Sequence, residues 1–196
     1  MSALRLVLDA GNTRIKWALA RGGSFVANGA VPTNASGRLG REWMGLDLRG
    51  VRAVACSVAG AAVRTAVTDA VGAAGGESVV WLASGERCAG VRNGYARPSQ
   101  LGVDRWAALI GARARSHEPT IIVNAGTAIT IDALTASGAA ARAQSRLQAR
   151  EGKPVRMIVS GGAAEALLPC LPPGAEHVAH LVLAGLLVAD DAGDCA

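Results

Sequence analysis

The chain has 196 residues and a mass of 19.8 kDa, and 51% of its residues are hydrophobic. This length predicts one domain or two small lobes, and the apolar fraction excludes a wholly disordered chain. The net charge is +5, but the basic residues are spread along the sequence rather than clustered. Such a spread is typical of a solvated surface, so we expect no nucleic-acid partner.

The first half of the chain alternates short apolar strands with helices. In chain order the patterns predict a strand–turn–strand hairpin, a third strand, a helix, a strand, a helix, a strand and a helix, at 6–19, 24–31, 36–44, 51–56, 59–74, 79–82 and 101–116. Strands that alternate with helices in this way indicate the α/β class.

The second half begins with a similar hairpin and then departs from this order. We expect the hairpin over 121–134, a strand over 155–159 and helices over 163–168 and 181–189. Residues 139–150 are rich in Ala, Gln and Arg and hold no β-branched residue, so we predict a helix there. The second lobe is therefore expected to lack the third strand of the first lobe.

The two hairpins read as copies of one unit. Residues 6–19 are LVLDAGNTRIKWAL and residues 121–134 are IIVNAGTAITIDAL. Each is an apolar run, a polar residue, Ala-Gly, a polar turn and an alternating segment. Such a repeat predicts duplicated lobes, which we expect over 1–116 and 117–196. The alternative is a chance similarity between two buried hairpins.

The first hairpin carries groups suited to phosphate and Mg²⁺. Asp9 ends a strand, where its carboxylate can hold Mg²⁺ directly or through water. Gly11 lets the backbone approach a phosphate closely, and Lys16 can reach a phosphate oxygen as a point charge. Asn12 and Thr13 add side-chain and backbone donors. The alternative is an ordinary Asx-rich hairpin turn.

The second hairpin offers a matching set of polar groups. Gly126 and Thr127 form its turn, and Thr130 and Asp132 follow on its second strand. Two such hairpins can clamp a polyphosphate from both sides, with Asp132 as a second candidate ligand of Mg²⁺. A pair of these turns points to a nucleotide site more strongly than one turn alone.

At these residues the sequence resembles the type III pantothenate kinase family of the actin-like, sugar-kinase-like ATPases. Three segments carry the resemblance: DAGNTRIK at 9–16, GVDR at 102–105 and NAGTAITID at 124–132. They match the family's D-x-G-N-T-x-x-K, G-x-D-R and D-x-G-T-A-x-T-x-D motifs, except that Asn124 replaces the first Asp of the third. The resemblance implies an α/β fold of duplicated ribonuclease-H-like (actin-like ATPase) lobes, with the second lobe truncated.

The resemblance also implies a reaction and residue roles. ATP would phosphorylate pantothenate to 4'-phosphopantothenate, the first step of coenzyme A biosynthesis. Asp104 would take the proton of the substrate hydroxyl, a role that typically contributes about 10²–10⁴ to the rate. The other residues implied in the substrate site are Tyr95, Gly102, Val103 and Arg105. For Asp104 and Arg105 the alternative is a helix-start acid beside a surface arginine.

Cofactors follow from the same resemblance. ATP would contact Gly126 and Thr127 as well as the first hairpin, with Mg²⁺ at Asp9 and Asp132. The family uses a monovalent cation, K⁺ or NH₄⁺, held by the Asp that Asn124 replaces here. Because an amide offers an oxygen but no charge, this cation requirement does not carry over directly to the present chain.

The chain departs from the family after Gly138. The family continues with a G-G-x-x-x-P-G segment and with helices whose threonine reaches pantothenate across a homodimer interface. This chain holds no such segment. We therefore expect intact ATP-side motifs, and a pantothenate wall and a dimer contact that are compromised. The alternative is a non-catalytic nucleotide-binding or regulatory relative.

Cysteine spacing and hydropathy bear on the cellular compartment. The four cysteines form no C-x-x-C pair and show no ligand spacing with the three histidines, which argues against a zinc site. No uncharged apolar stretch has the length of a membrane helix, and the first apolar run is too short for a signal peptide. We expect a reduced, cytoplasmic protein with four buried, unreactive thiols and no membrane partner.

Overall fold

Two compact units make up the chain, Met1–Leu82 and Ala83–Ala196, and each is built on one sheet. The computed structural model describes residues 3–142, 155–193 and 195. The division between the units lies before the one expected after residue 116. The intervening segment belongs to the second unit because its helix packs along the last helix of the chain.

The first unit is a five-stranded sheet with two α-helices. Its strands β1 to β5 are Leu4–Ala10, Arg14–Arg21, Ser24–Pro32, Arg52–Ser57 and Val79–Trp81. A 3₁₀ turn over Thr33–Arg38 leads into α1, Leu39–Glu42, and α2 is Ala61–Ala73. The sheet order is β3-β2-β1-β4-β5, with β1 to β3 antiparallel and β4 and β5 parallel to β1. The predicted strands are confirmed, whereas the helix expected over 36–44 is mostly a 3₁₀ turn and a single α-turn.

The core of the first unit lies on one face of its sheet. Leu8 and Trp17 form a buried cross-strand pair on that face. Trp17 also meets Trp43 edge to face, with ring centroids 6.3 Å apart. Successive residues of a strand point to opposite faces. Asp9 and its cross-strand partner Lys16 therefore share the face away from this core.

In its described residues the second unit is a seven-stranded sheet with three α-helices. Its strands β6 to β12 are Arg87–Cys88, Val91–Asn93, Thr120–Ala125, Ile129–Leu134, Ala139–Arg142, Arg156–Ser160 and Glu176–His177. Its helices α3, α4 and α5 are Val103–Arg115, Ala164–Leu167 and Leu181–Ala192. Across the described ranges of both units, no helix has the length and apolar character needed to cross a membrane.

Both sheets contain the same five-stranded arrangement. The second sheet runs β12-β11-β8-β9-β10-β7-β6, so its β10-β9-β8-β11-β12 portion repeats the order β3-β2-β1-β4-β5. β8 pairs antiparallel with β9 and parallel with β11, just as β1 pairs with β2 and β4. The duplication expected from the two hairpins is confirmed.

The prediction of a helix over 139–150 is wrong for residues 139–142, which the structure describes as a strand. Ala139–Arg142 form β10, which is antiparallel to β9 and parallel to β7. Gly138 takes a φ of +82° in the turn before β10, a conformation that favours glycine. The turn directs the chain back along β9, and pairing with two neighbouring strands outweighs the high helix propensity of alanine. Residues 143–150 of the predicted helix lie outside the described part of the chain.

β10 also overturns the expectation that the second lobe lacks its third strand. The strand occupies the position in the second sheet that β3 occupies in the first. It pairs with β9, so β9 is hydrogen-bonded to a strand on each side. What the second sheet has in addition is the short hairpin β6–β7 beyond β10, which sequence patterning did not indicate.

Helices α3 and α5 cross closely in the second unit. A Cβ at Gly111 would lie 2.6 Å from the carbonyl oxygen of Leu181, and one at Gly185 would lie 1.8 Å from that of Ala107. Both distances are too short for a side-chain carbon, so only glycine lets the two backbones approach this closely. The crossing holds α3, whose first turn carries the G-x-D-R segment.

The expectation of four free thiols is wrong for two of the cysteines. Cys88 on β6 and Cys195 beyond α5 form a disulfide. Cys56 is free and buried, whereas Cys170 is free and exposed rather than buried. The paired residues are 107 apart in the chain, so their spacing gave no sign of the bond.

Candidate functional site

The first unit holds Asp9 at the end of β1, next to the exposed turn of the first hairpin. The residue is only 9% exposed, and its Oδ1 accepts a hydrogen bond from the Sγ of Cys56, 3.6 Å away on β4. Lys16 on β2 lies directly opposite Asp9 in the strand register. The carboxylate and the ammonium group therefore lie on the same face, as a phosphate site with Mg²⁺ requires.

The turn between β1 and β2 is held by its backbone. The amide of Gly11 donates to the carbonyl oxygen of Arg14 at 3.0 Å, and the Oγ1 of Thr33 donates to the carbonyl oxygen of Gly11 at 2.7 Å. A Cβ at Gly11 would lie 3.1 Å from the carbonyl oxygen of Arg14. Asn12 and Thr13, at the tip, are exposed. Thr33 is a supporting residue that the sequence motif did not include.

The second unit repeats this turn between β8 and β9. Gly126 and Thr127 are exposed at its tip, and the amide of Gly126 donates to the carbonyl oxygen of Ala128 at 3.2 Å. Thr130 lies opposite Asn124 in register, so their side chains share a face of the sheet. The Oγ1 of Thr130 is buried and has no hydrogen-bond partner among the described residues. Asn124 and Thr130 thus place two neutral polar side chains on one face of the sheet beside this turn.

Asp104 lies in the first turn of α3. Its Oδ1 accepts a hydrogen bond from the backbone amide of Arg105 at 2.8 Å. Gly102 makes room for this arrangement, because a Cβ there would lie 2.8 Å from the same oxygen. Asp104 is half-buried, and its Oδ2 accepts no hydrogen bond from any described residue. One carboxylate oxygen is thus fixed by the helix and the other is available to a substrate hydroxyl.

Arg105 joins the start of α3 to the second hairpin. Its Nε donates to Oδ2 of Asp132 at 2.9 Å, and its Nη2 donates to Oδ1 of the same carboxylate. The Nη2 group also donates to the hydroxyl of Tyr95 at 3.1 Å. Hydrogen bonding to Asp132 raises the pKa of Arg105 above its ordinary value in spite of partial desolvation. The guanidinium is therefore charged and oriented by two partners.

Tyr95 is held in place by the loop that follows β7. Asn93 accepts a hydrogen bond at Oδ1 from the amide of Tyr95, 3.0 Å away, in an Asx turn. Its side-chain amide donates to the carbonyl oxygens of Gly85 and Pro98 at 3.1 and 3.2 Å. The structure thus brings Tyr95, Arg105 and Asp132 together, although they are far apart in the sequence.

Of the two carboxylates expected to bind Mg²⁺, Asp9 is better suited to the ion than Asp132. Among residues 3–142, 155–193 and 195, no group of three or more His, Cys, Asp or Glu could hold a metal ion. Asp9 nevertheless suits Mg²⁺, which is commonly bound by one carboxylate together with substrate phosphates and water. Asp132 suits it poorly, because both of its carboxylate oxygens accept hydrogen bonds from Arg105.

Known proteins resemble this chain in sequence. It is 47% identical over 137 residues to a type III pantothenate kinase of Aromatoleum aromaticum, covering 68% of this chain and 54% of that protein. It is 35% identical over 239 positions to a type III pantothenate kinase of Thiobacillus denitrificans, covering 95% of this chain and 96% of that protein. The chain thus spans about half the length of the first relative. The second alignment is longer than the 196 residues here, so that relative has residues without a counterpart in this chain.

Solved structures share the fold at low sequence identity. The activator of the 2-hydroxyisocaproyl-CoA dehydratase from Clostridium difficile matches with a TM-score of 0.57 and 12% identity, covering 97% of this chain and 96% of that one. An inorganic polyphosphate/ATP-glucomannokinase from Arthrobacter matches with a TM-score of 0.52 and 14% identity, covering 97% and 98%. At such identities the likeness shows the fold alone, which is the expected α/β fold with two related lobes.

The family comparison agrees with the residues described above. The family model for type III pantothenate kinase matches residues 5–141, which include all three motifs from Asp9 to Asp132. The match ends within β10, close to the point at which the chain departs from the family pattern. With this match and the identity to the two relatives, the chain belongs to the type III pantothenate kinase family.

Proposed function

We propose that this protein transfers the γ-phosphate of ATP to pantothenate and forms 4'-phosphopantothenate. The observation that carries the proposal is the start of α3, where the carboxylate of Asp104 adjoins a guanidinium held by Asp132 and Tyr95. A base for the hydroxyl and a cation for the carboxylate are the two groups that phosphorylation of a hydroxy acid needs. Family membership supplies the identity of the substrate.

Asp104 acts as the general base in this proposal. Its Oδ2 accepts no hydrogen bond from the described residues, while Oδ1 is fixed by the amide of Arg105. The free Oδ2 of Asp104 takes the proton of the pantothenate hydroxyl as the hydroxyl oxygen bonds to the γ-phosphorus. The bond between that phosphorus and the β–γ bridging oxygen breaks, and ADP leaves. Phosphoryl transfer depends mainly on positioning and on neutralised charge, so a fixed carboxylate is well suited to this role.

Arg105 and Tyr95 bind the substrate at its carboxylate end. Asp132 and Tyr95 accept hydrogen bonds from the Nε and Nη2 groups of Arg105. The Nη1 group donates to no described residue, so its hydrogens can bind a substrate. An arginine Nη group is a strong donor to a carboxylate. The partly buried Gly102 and Val103, at the start of α3, complete this side of the proposed site.

The ATP phosphates are bound by the hairpin turns in this proposal. In the first unit Gly11, Asn12, Thr13 and Lys16 supply donors and a positive charge, and Asp9 holds Mg²⁺. Bound Mg²⁺ neutralises charge on the phosphate oxygens. In the second unit Gly126 and Thr127 are ATP-side residues of the proposal by resemblance to the family motif alone. The buried Oγ1 of Thr130 beside Asn124 supports a weak monovalent cation site made of neutral oxygens.

The proposal is tested by measuring ADP and phosphopantothenate formation from ATP, Mg²⁺ and pantothenate, with and without K⁺. We predict that Asp104→Asn lowers kcat by about 10²–10⁴ and leaves ATP binding intact, because only the base is lost. Asp69→Asn, an exposed acid on α2, is the matched control and should retain full activity. Failure of the unmodified chain to phosphorylate pantothenate at any K⁺ concentration would overturn the proposal.

A second candidate is a non-catalytic relative that binds nucleotide. It is favoured by the alignment with the Thiobacillus relative, which extends over more positions than this chain has residues. The chain departs from the family motifs after Gly138, where the resemblance implies the far wall of the substrate pocket and the homodimer contact. Binding of ATP by calorimetry without turnover would support this candidate, and a sizing column run beside it would show whether the chain forms the dimer proposed for the family.

A further inference from the structure

The carboxylate of Asp132 is buried on the middle one of three paired strands. It lies in β9, where its backbone pairs with Ile122 of β8 on one side and Arg142 of β10 on the other. The side chain is 3% exposed. Removing a charged carboxylate from water costs desolvation free energy, so a buried carboxylate requires a charged partner.

That partner is Arg105, and the ion pair uses only the Nε and Nη2 groups of its guanidinium. Nε and Nη2 of Arg105 both donate to Asp132, which is the bidentate arrangement of a guanidinium and a carboxylate. Nη2 donates in addition to Tyr95. The guanidinium plane is therefore fixed by two residues from separate elements. Nη1, on the remaining side, is bonded to no acceptor in the described part of the chain.

We infer that Asp132 is a positioning residue, which orients Arg105 so that its Nη1 donors face the carboxylate of the substrate. The inference rests on the proposed function and deepens it by naming the group that prepares the substrate anion site. It also replaces the role of magnesium ligand expected from the sequence. The long side chain of an arginine has many rotamers in solution. Because Asp132 fixes one rotamer before the substrate binds, less side-chain conformational entropy is lost on binding.

The pair has a second consequence for recognition. Because Asp132 neutralises the charge of Arg105, the site attracts the substrate anion by directed hydrogen bonds rather than by excess positive charge. Removing Asp132 would leave the guanidinium with only its contact to the hydroxyl of Tyr95, about which it could turn. The substrate carboxylate would then meet a misoriented donor, even though the positive charge is retained.

The test compares steady-state constants of Asp132→Asn with those of the unmodified chain. We expect the KM for pantothenate to rise about tenfold or more, with kcat, the KM for ATP and the half-saturating Mg²⁺ concentration within about twofold. Glu176→Gln, which breaks another carboxylate–arginine contact in the same unit, is the matched control and should change none of these constants. A raised Mg²⁺ requirement with an unchanged KM for pantothenate would overturn the inference in favour of metal binding.

A double-mutant cycle separates positioning from a purely structural role. If Asp132 acts through Arg105, Asp132→Asn should have no further effect on pantothenate binding in an Arg105→Met background. Equal losses in both backgrounds would overturn the inference. Should Asp132→Asn fail to fold, Asp132→Glu keeps the charge but shifts the guanidinium, so it should raise the KM for pantothenate as well. An unmodified chain that binds no pantothenate would instead refute the proposed function.

Discussion

Glu176 on β12 joins two arginines that come from different elements. Arg115 at the end of α3 donates to its Oε1, and Arg156 on β11 donates to its Oε2 at 2.6 Å. Partial burial acts to raise the pKa of Glu176, but the two arginines outweigh it and hold the pKa below its ordinary value. A carboxylate with a lowered folded-state pKa stabilises the fold above its unfolded pKa, and loses this contribution as the pH falls through the folded value.

We predict that Glu176→Gln lowers the free energy of unfolding at neutral pH by less than about 1 kcal/mol, because the pair is partly exposed and screened. The difference from the unmodified chain should be constant above pH 4.5, the ordinary value for Glu, and should shrink at lower pH. Urea titrations across this range measure it. Glu165→Gln, at an exposed position on α4, is the control. A difference that grows on acidification would contradict the prediction.

The first hairpin contains residues that belong to a sequence motif and is supported by residues that do not. Asp9 and Lys16 were identified from spacing alone, and the strand register explains why, since the hairpin makes them cross-strand neighbours. Thr33 and Cys56, which support the same turn and the same carboxylate, come from other elements and were not identified. Their contribution depends on where β3 and β4 lie in the sheet, which no local pattern encodes.

At the level of elements, the crossing of α3 and α5 is a close approach of two helix backbones in the second unit. It depends on Gly111 and Gly185, because a Cβ at either position would overlap a backbone carbonyl of the other helix. Backbone atoms cannot move aside as a flexible side chain can. A methyl group here would therefore separate the helices and loosen the first turn of α3.

We predict that Gly185→Ala lowers the free energy of unfolding by about 1–3 kcal/mol or more, because overpacking forces the two backbones apart. Gly72→Ala is the matched control, since a Cβ at that position of α2 would meet nothing within 4 Å. It should raise stability by up to about 1 kcal/mol through helix propensity. Thermal melting of both variants distinguishes the two effects. Equal responses would show that the crossing does not depend on glycine.

The strand β10 shows the limit of propensity at this scale. Ala139–Arg142 favour a helix by composition, and they form a strand because β9 and β7 present backbone groups to pair with. Residues 135–138 form the tip of the hairpin that joins β9 to β10, a pairing that the composition of residues 139–150 did not indicate. By contrast, α3 was predicted closely, since its apolar positions follow a helical period and face a partner helix.

For the molecule as a whole, the disulfide is a constraint within the second unit. Cys88 lies on β6 at the edge of the sheet, and Cys195 follows α5, so the bond ties the chain beyond the last helix to the edge of the sheet. Closing a loop of this length restricts the unfolded chain, which is worth about 2–5 kcal/mol in the entropic account. The same edge hairpin leads into the loop that carries Tyr95.

We predict that the purified chain under denaturing, non-reducing conditions has two titratable thiols, Cys56 and Cys170, and four after reduction. Cys195→Ser should lower the free energy of unfolding by about 2–5 kcal/mol, because the loop is no longer closed. Cys170→Ser, at an exposed free thiol, is the control and should change stability little. A count of four thiols before reduction would contradict the prediction.

The sequence by itself determined the two hairpins, the order of strands and helices in the first unit, the three segments that match the family motifs, and the family. These features depend on residues close together in the chain, so spacing and hydrophobic period suffice to read them. Only the tertiary structure decided that β10 is a strand, that Asp132 pairs with Arg105, and that Cys88 pairs with Cys195. Each of these depends on contacts between distant segments, where the free energy of pairing and of buried charge outweighs local propensity.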